Sequence, residues 1–286
     1  IARRQRQMCI RDSYKIESKW LLKVQEIVDM IVDNGMYAIL NIYEGDEDED
    51  NCTVDKMEEN NQKLKTIWTQ IADMYKSYDE KLLLACCHEP KVSTQDEMAV
   101  LASYEQTFVD AVRATGERNA KRVLVVPGPM TDIQTTDMLM NLPTDEIKDR
   151  LMVEVQFFSP YSFCAMTQDE DDAKVSYFWG SVRKDVPAEV KDRNASDVVD
   201  AEGVNTLFLK MKKKYANQGI PVVLRKYGAY YRREETVGAE YYALHKASVG
   251  EWLYKTTQLA KTNGMILFMW EAGTLVSREN GAVTGL

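Results

Sequence analysis

Residues 17–42 read ESKWLLKVQEIVDMIVDNGMYAILNI and predict a helix followed directly by a buried strand. Apolar side chains recur at helical spacing from Trp20 to Ile31, and Asn34-Gly35 then supplies a helix C-cap that can adopt a left-handed backbone. The next seven residues, 36–42, form a continuous apolar run of strand length. Such a run is typical of a parallel strand that is covered on both faces.

The same helix-then-strand unit recurs along the chain. Helices are predicted at 55–78, 96–115, near 144–150, at 203–217 and at 238–262, and they lead to strands within 81–87, 121–127, 151–158, 220–227 and 264–270. Strands that alternate with helices pair in parallel, either in an open doubly wound sheet or in a barrel. No GxGxxG or GxxxxGK[ST] motif follows any strand, which removes the main signal for a nucleotide-binding open sheet.

Each predicted strand ends in a cluster of polar or aromatic residues. Barrel enzymes build their sites at this carboxyl edge from several strand ends, so the pattern favours an α/β fold of the (β/α)8 TIM-barrel type. Eight strands close such a barrel and six are visible here. We therefore expect a truncated barrel that lacks two strands and a helix before residue 14 and the final helix after Leu286.

Composition excludes several classes of protein. The formal charge of −9 argues against a nucleic-acid partner, and no apolar run is long enough to suggest a membrane partner. Five cysteines without a CxxC pair, with only two histidines, predict neither a zinc site nor a disulfide framework. No cofactor is predicted, and the oligomeric state is left open.

The segment RRQRQMCIRDS at 3–13 is similar to translated sequencing-adapter sequence. We therefore expect residues 1–13 to be a non-native or disordered segment and residues 14–286 to form a single barrel domain. The alternative is a natural basic arm. If the native start is missing, the lack of a signal peptide says nothing about localisation.

Three strand ends carry the chemistry: Cys87-His88-Glu89-Pro90, Arg225-Lys226-Tyr227-Gly228 and Trp270-Glu271-Ala272-Gly273. They resemble the strand-end motifs of glycoside hydrolase family 5, most closely its subfamily 4 of endo-β-1,4-glucanases and xyloglucanases. The resemblance runs in order from about Ile16 to Leu286. It implies a secreted or periplasmic protein whose partner is a β-glucan polysaccharide or oligosaccharide.

The resemblance also marks what has changed. Glu89 matches the acid/base of this retaining family, but Lys226 stands at the position of the nucleophilic glutamate. The surrounding positions depart too: His88 replaces an asparagine, Tyr43-Glu44 replaces two histidines, Gln156 and Phe158 replace a histidine and a tyrosine, and Glu271-Ala272 replaces Asp-Asn. We predict an ion pair between Glu89 and Lys226 across the site.

The sugar-contacting residues implied by the resemblance are His88, Gln156, Phe158, Tyr161, Tyr227, Trp270 and Tyr43. Burial without any ligand is the alternative for His88 and Lys226, the role of Trp179 stays open, and His245 is predicted to lie at the surface or to serve packing. Three hypotheses follow: an inactive homologue that still binds β-glucan, an active retaining endo-β-1,4-glucanase that uses Glu44 or Glu271, and a fragment without function.

Overall fold

The computed structural model describes residues 14–43, 52–196 and 200–270, together with Ser277 and Ala282. None of the helices in these ranges is long and apolar enough to cross a membrane. The strands are β1 (Ala38–Asn41), β2 (Leu82–Ala85), β3 (Leu124–Pro127), β4 (Leu151–Phe157), β5 (Val222–Tyr227) and β6 (Met265–Met269). The α-helices are α1 (Ser18–Asp33), α2 (Met57–Tyr75), α3 (Gln95–Ala114), α4 (Ile133–Leu139), α5 (Tyr161–Cys164), α6 (Ala201–Lys214), α7 (Glu234–Val237) and α8 (Ala239–Thr262).

The six strands form one sheet in which their order is their order along the chain, β1-β2-β3-β4-β5-β6. The pairs β1–β2, β2–β3, β3–β4 and β5–β6 are parallel. Helical connections between consecutive parallel strands are the connectivity of a (β/α)8 barrel. The predicted fold class is confirmed, with six of the eight strands present among the described residues.

The chain divides into two compact units. The first unit comprises Ala2–Glu154 and Gly219–Pro221, and the second unit comprises Val155–Gln218 and Val222–Leu286.

In the first unit, the helices are fixed to the strands by buried polar contacts. Trp68 of α2 is fully buried and donates its indole N–H to the carbonyl oxygen of Cys86, 2.9 Å away, just beyond β2. α3 begins with a capping box in which Thr94 and Glu97 bind each other's backbone N–H groups. These contacts fix the point at which the chain leaves β2.

Arg122 is the main buried cation of the first unit, with only 4% of its surface exposed. Its guanidinium donates to the side-chain oxygen of Asn119 and to four backbone carbonyls, those of Asp79, Leu82, Tyr75 and Tyr78. Burial lowers its pKa to about 10, so the group stays charged at neutral pH. One side chain thus binds the end of α2 to the start of β2.

The prediction of a helix near 144–150 is wrong. The last helix before β4 is α4, which ends at Leu139, and residues 141–150 form no helix. Asp145 instead receives two hydrogen bonds from the Arg113 guanidinium, at 3.1 and 2.7 Å. Its Oδ1 also accepts the backbone N–H of Ile147. This tertiary ion pair favours a turn over the helix that the local sequence suggests.

In the second unit, His245 of α8 is fully buried and serves packing, as predicted. Its Nδ1 lies 2.8 Å from the carbonyl oxygen of Tyr177, and because a carbonyl only accepts, Nδ1 carries the hydrogen. Its Nε2 accepts the backbone N–H of Arg232 at 3.0 Å. The neutral imidazole therefore joins α8 to two loops, and burial lowers its pKa.

Candidate active site

In the first unit, the candidate site residues lie where β1 and β2 end. Asn41 is the last residue of β1 and pairs with Ala85, the last residue of β2. The residues that follow, Tyr43 on one strand and His88 and Glu89 on the other, therefore emerge at the same edge of the sheet. This is the edge at which the sequence predicted the chemistry.

His88 is held by contacts on two sides. The Tyr43 ring meets the imidazole edge to face, with ring centroids 4.8 Å apart at 77°. The amide nitrogen of Asn41 lies 3.5 Å from Nδ1. Because that nitrogen can only donate, Nδ1 accepts and Nε2 carries the ring hydrogen.

The protonated Nε2 of His88 lies 3.3 Å from Oε1 of Glu89. An N–H that faces a carboxylate oxygen stabilises the ionised form of that carboxylate. The Glu89 side chain is 40% exposed, against 16% for His88, so it remains accessible to a ligand. Glu89 is therefore arranged here as an accessible, oriented carboxylate.

The backbone of Glu89 is strained. Its φ angle is +46°, in the left-handed region that a residue with a Cβ adopts at a cost of roughly 1–2 kcal/mol. Strain of this kind concentrates at functional sites, where surrounding contacts maintain it. Glu89 is thus held in a defined orientation at the end of β2.

The segment after β3 braces this turn, which sequence reasoning missed. Met130 and Thr131 have φ angles of +53° and +51°, and the Met130 N–H donates to the carbonyl of Pro90 at 2.7 Å. Next to this segment, Gly128 packs closely against Thr136 of α4, because a Cβ at position 128 would lie 1.9 Å from Oγ1 of Thr136. The only sequence signal was the Pro-Gly-Pro run at 127–129.

In the second unit, the candidate site residues lie at the ends of β4, β5 and β6. Phe157, the last residue of β4, packs on Trp252 of α8 with ring centroids 5.9 Å apart. Residues on either side of a strand residue project from the opposite face. Gln156 and Phe158 therefore project from the face of the sheet that α8 does not cover.

Tyr227, the last residue of β5, lies on the helix side of the sheet. It is 5% exposed, its hydroxyl lies 3.0 Å from that of Thr257, and its ring centroid is 6.4 Å from that of Trp252. We therefore leave Tyr227 out of the candidate sugar surface. Trp179, whose role was open, is also buried, at 2% exposure.

An irregularity in β5 sets the position of Lys226. Leu224 pairs with Leu267 and Tyr227 with Met269, so Arg225 and Lys226 together oppose the single residue Phe268. Because their pairing partners are two residues apart on β6, Leu224 and Tyr227 share a face. The two cations between them accordingly lie on the face opposite α8.

Trp270 supplies an exposed aromatic surface beside this pair. Its backbone N–H donates to the carbonyl of Tyr227 at 3.0 Å, and 44% of its surface is exposed. The Phe158 ring stands perpendicular to the indole, with centroids 5.8 Å apart. Gly228 lies between them, since a Cβ there would be 3.5 Å from the Trp270 carbonyl and 3.8 Å from the Phe158 ring.

Tyr161 follows Phe158 closely in the sequence and is the first residue of α5. It is 60% exposed. The chain just before Tyr161 is fixed by Trp252, whose indole N–H donates to the carbonyl of Ser159 at 3.0 Å. Glu44, Glu271 and Ala272 lie outside the described residues, and within the described ranges no group of three or more His, Cys, Asp or Glu side chains is arranged to hold a metal ion.

Known proteins match this chain over most of its length. A family profile described as cellulase (glycosyl hydrolase family 5) matches residues 4–275. The xyloglucan-specific endo-beta-1,4-glucanase BoGH5A of Bacteroides ovatus is 29% identical over 272 residues, which are 91% of this chain and 51% of that protein. Endoglucanase B of Ruminococcus albus is 29% identical over 77% of this chain and 49% of its own length. The chain thus spans about half the length of these curated relatives.

Solved structures agree in fold. A Bacteroides ovatus GH5 xyloglucanase in complex with a XXXG heptasaccharide superposes with a TM-score of 0.86 at 25% identity, over 98% of this chain and 60% of that one. A GH5 xyloglucan-specific beta-1,4-glucanase from a ruminal metagenomic library, in complex with XXLG, gives a TM-score of 0.81 at 29% identity, over 96% and 76%. With the family profile covering nearly the whole chain, these findings show that the protein belongs to glycoside hydrolase family 5.

Proposed function

We propose that this chain binds a β-linked glucan at its strand ends and does not hydrolyse it at an enzymatic rate. The observation that carries the proposal is Lys226, which stands on β5 in the motif position of the family's nucleophilic glutamate. The relatives that bind or cleave xyloglucan and other β-glucans make such a polymer the first ligand to test.

Lys226 is incompatible with the retaining reaction for two chemical reasons. Retention needs a second carboxylate that attacks the anomeric carbon and forms a glycosyl ester, which an amine does not form. A positive charge also opposes the oxocarbenium-like transition state. Loss of a covalent nucleophile costs on the order of 10⁴–10⁶ in rate, judged from proteases.

Glu89 is also poorly suited to act as an acid. A general acid must hold its proton until the leaving group needs it, and enzymes achieve this by raising the pKa of the carboxyl group. Here the imidazole of His88, where the family has an asparagine, lies 3.3 Å from the Glu89 carboxylate. His88 thus adds a second obstacle to hydrolysis, independent of Lys226.

The binding surface remains in the second unit. Trp270 and Tyr161 are 44% and 60% exposed, and Phe158 holds the indole from the side. Exposed aromatic rings with fixed orientation give a large contact area at little cost in conformational entropy. Stacking on sugar rings requires neither a nucleophile nor an acid.

The experiment measures both binding and turnover. The unaltered chain is assayed for retardation in gels that contain xyloglucan or hydroxyethylcellulose and for release of reducing ends from the same polymers. The comparison proteins are Trp270→Ala, Lys226→Glu, and a variant that combines Lys226→Glu with His88→Asn, Gln156→His, Phe158→Tyr and Ala272→Asn. A surface variant, Lys213→Gln, is the control.

Retardation without turnover, weakened by Trp270→Ala and unaffected by Lys213→Gln, is the expected result. Turnover by the unaltered chain would make it an active endoglucanase and would refute the proposal. Absence of both binding and turnover would leave a family 5 chain without glucan function and would refute it as well.

A further inference from the structure

The charge at the end of β5 is inverted relative to the family motif. Where the family has Gly-Glu-Tyr-Gly, this chain has Arg225-Lys226-Tyr227-Gly228, so the first two positions change from a summed charge of −1 to +2. This is a local gain of three positive charges. At these two positions the chain is therefore more favourable to an anion than the family motif is.

The two cations lie next to an aromatic platform. Trp270 is hydrogen-bonded through its backbone to Tyr227, the neighbour of Lys226, and its 44% exposed indole is buttressed by Phe158. Arg225 and Lys226 are both half-buried and lie on the face of the sheet opposite α8. Lys226 and the exposed indole therefore belong to neighbouring positions at this strand end, since the Trp270 N–H binds the carbonyl of Tyr227.

We infer that the second unit recognises an acidic β-linked polysaccharide, in which a uronic acid carboxylate binds at Lys226 while a sugar ring of the same chain stacks on Trp270. This inference rests on the proposed binding function and names its ligand class. A neutral glucan would use the stacking contact alone. An acidic polymer would add a charge-assisted hydrogen bond to Lys226, at the position where the family motif has a glutamate.

The charge of the whole protein makes the inference testable. The chain carries a formal charge of −9, so non-specific electrostatics disfavour its binding to a polyanion. A preference for an acidic polymer must then come from a local site. Added salt screens both the local attraction and the global repulsion, and a local site predicts that the preference decreases with salt.

The test compares two soluble polymers with the same β-1,4 backbone. One is neutral hydroxyethylcellulose, and the other is a β-1,4-linked polyglucuronate made by oxidising C6 of cellulose. Binding to each is measured by isothermal titration calorimetry at low and high salt. The variants are Lys226→Gln, which removes the charge and keeps the length, and Trp270→Ala.

The matched control is Lys213→Gln. Lys213 lies in the last turn of α6, which leads into the start of β5, at the opposite end of that strand from Lys226. It is exposed and belongs to the same unit, so its replacement makes the same change in net charge. A thermal melt followed by circular dichroism checks that each variant is folded.

The inference predicts that polyglucuronate binds more tightly than the neutral polymer by roughly tenfold at low salt, as expected for a charge-assisted contact. Lys226→Gln should abolish that preference, while Lys213→Gln leaves it unchanged. Equal binding of the two polymers, unaffected by Lys226→Gln, would overturn the inference and leave the proposed function standing. If neither polymer bound, the proposed function itself would fail.

Discussion

Nε2 of His88 lies 3.3 Å from Oε1 of Glu89, and Asn41 fixes the tautomer that places a hydrogen between them. The motif of the family has an asparagine at the position of His88. One substitution next to Glu89 therefore changes how that carboxylate is hydrogen-bonded. In the proposed function, Lys226 in the nucleophile position and His88 beside the acid/base position are two separate changes with separate consequences.

Restoring Lys226 to glutamate should not by itself recover full activity. With Glu89 still paired to the His88 N–H, the acid step stays slow, and correct general acid catalysis contributes about 10²–10⁴ in rate. Lys226→Glu combined with His88→Asn should release reducing ends from xyloglucan at least roughly tenfold faster than Lys226→Glu alone. Equal rates for the two variants would show that His88 does not affect the acid step.

The left-handed backbone at Glu89 predicts an order of stability among its replacements. Both glycine and alanine lose the contact with His88. Glycine adopts the observed φ of +46° without strain, whereas the Cβ of alanine makes this backbone conformation unfavourable. Glu89→Gly should be more stable than Glu89→Ala by about 1 kcal/mol in urea unfolding. The opposite order would mean that this turn is not strained.

Arg122 should be a principal contributor to the stability of the first unit. Arg122→Met removes five hydrogen bonds, and although the carbonyls of Tyr75 and Asp79 keep a backbone donor, the other buried acceptors lose theirs, at about 1–3 kcal/mol each. We expect a loss of about 3 kcal/mol or more in the free energy of unfolding, measured with urea. The exposed Arg118 nearby provides the control, since Arg118→Met should change stability by no more than about 0.5 kcal/mol.

His245 should make the stability of the second unit sensitive to acid. Burial first, with the nearby charge of Arg232, lowers its pKa in the folded state, so below about pH 6.5 the unfolded chain binds the extra proton. The free energy of unfolding should therefore decrease as the pH falls below about 6.5. Once the pH is below the pKa of His245 in the folded protein, this residue causes no further decrease. The variant His245→Gln keeps all other titrating groups. The difference in the free energy of unfolding between it and the unaltered chain therefore reports the imidazole alone.

Urea unfolding at several pH values between about 5 and 7.5 measures that difference. The ring contacts those of Tyr231, Tyr242 and Phe163, and its Nε2 accepts the backbone N–H of Arg232. A difference that stays constant with pH would show that His245 accepts a proton in the folded protein as readily as in the unfolded one.

The helices and strands followed from hydrophobic periodicity wherever burial dictates the pattern. The short helices α4, α5 and α7 were not predicted. The helix predicted at 144–150 was wrong, because the ion pair between Asp145 and Arg113 links residues far apart in sequence and no local signal reports it. The (β/α) alternation likewise sufficed to place the site at the carboxyl edge of the sheet.

Glu89, His88 and Trp270 remain predicted site residues, and the sequence did not predict the direction of the side chains at the end of β5. Strict alternation from a regular strand does not anticipate that Arg225 and Lys226 together oppose Phe268. That one extra residue turns Tyr227 onto α8. The brace from Met130 to Pro90 was equally hidden, since it depends on two left-handed residues without glycine.

The most direct test of the central claim is the initial rate at which the unaltered chain releases reducing ends from xyloglucan. It is compared with the variant that restores Lys226→Glu together with His88→Asn, Gln156→His, Phe158→Tyr and Ala272→Asn. The account predicts a rate for the unaltered chain on the order of 10⁴-fold or more below that of the restored variant, as for loss of a covalent nucleophile. Comparable rates for the two proteins would contradict it.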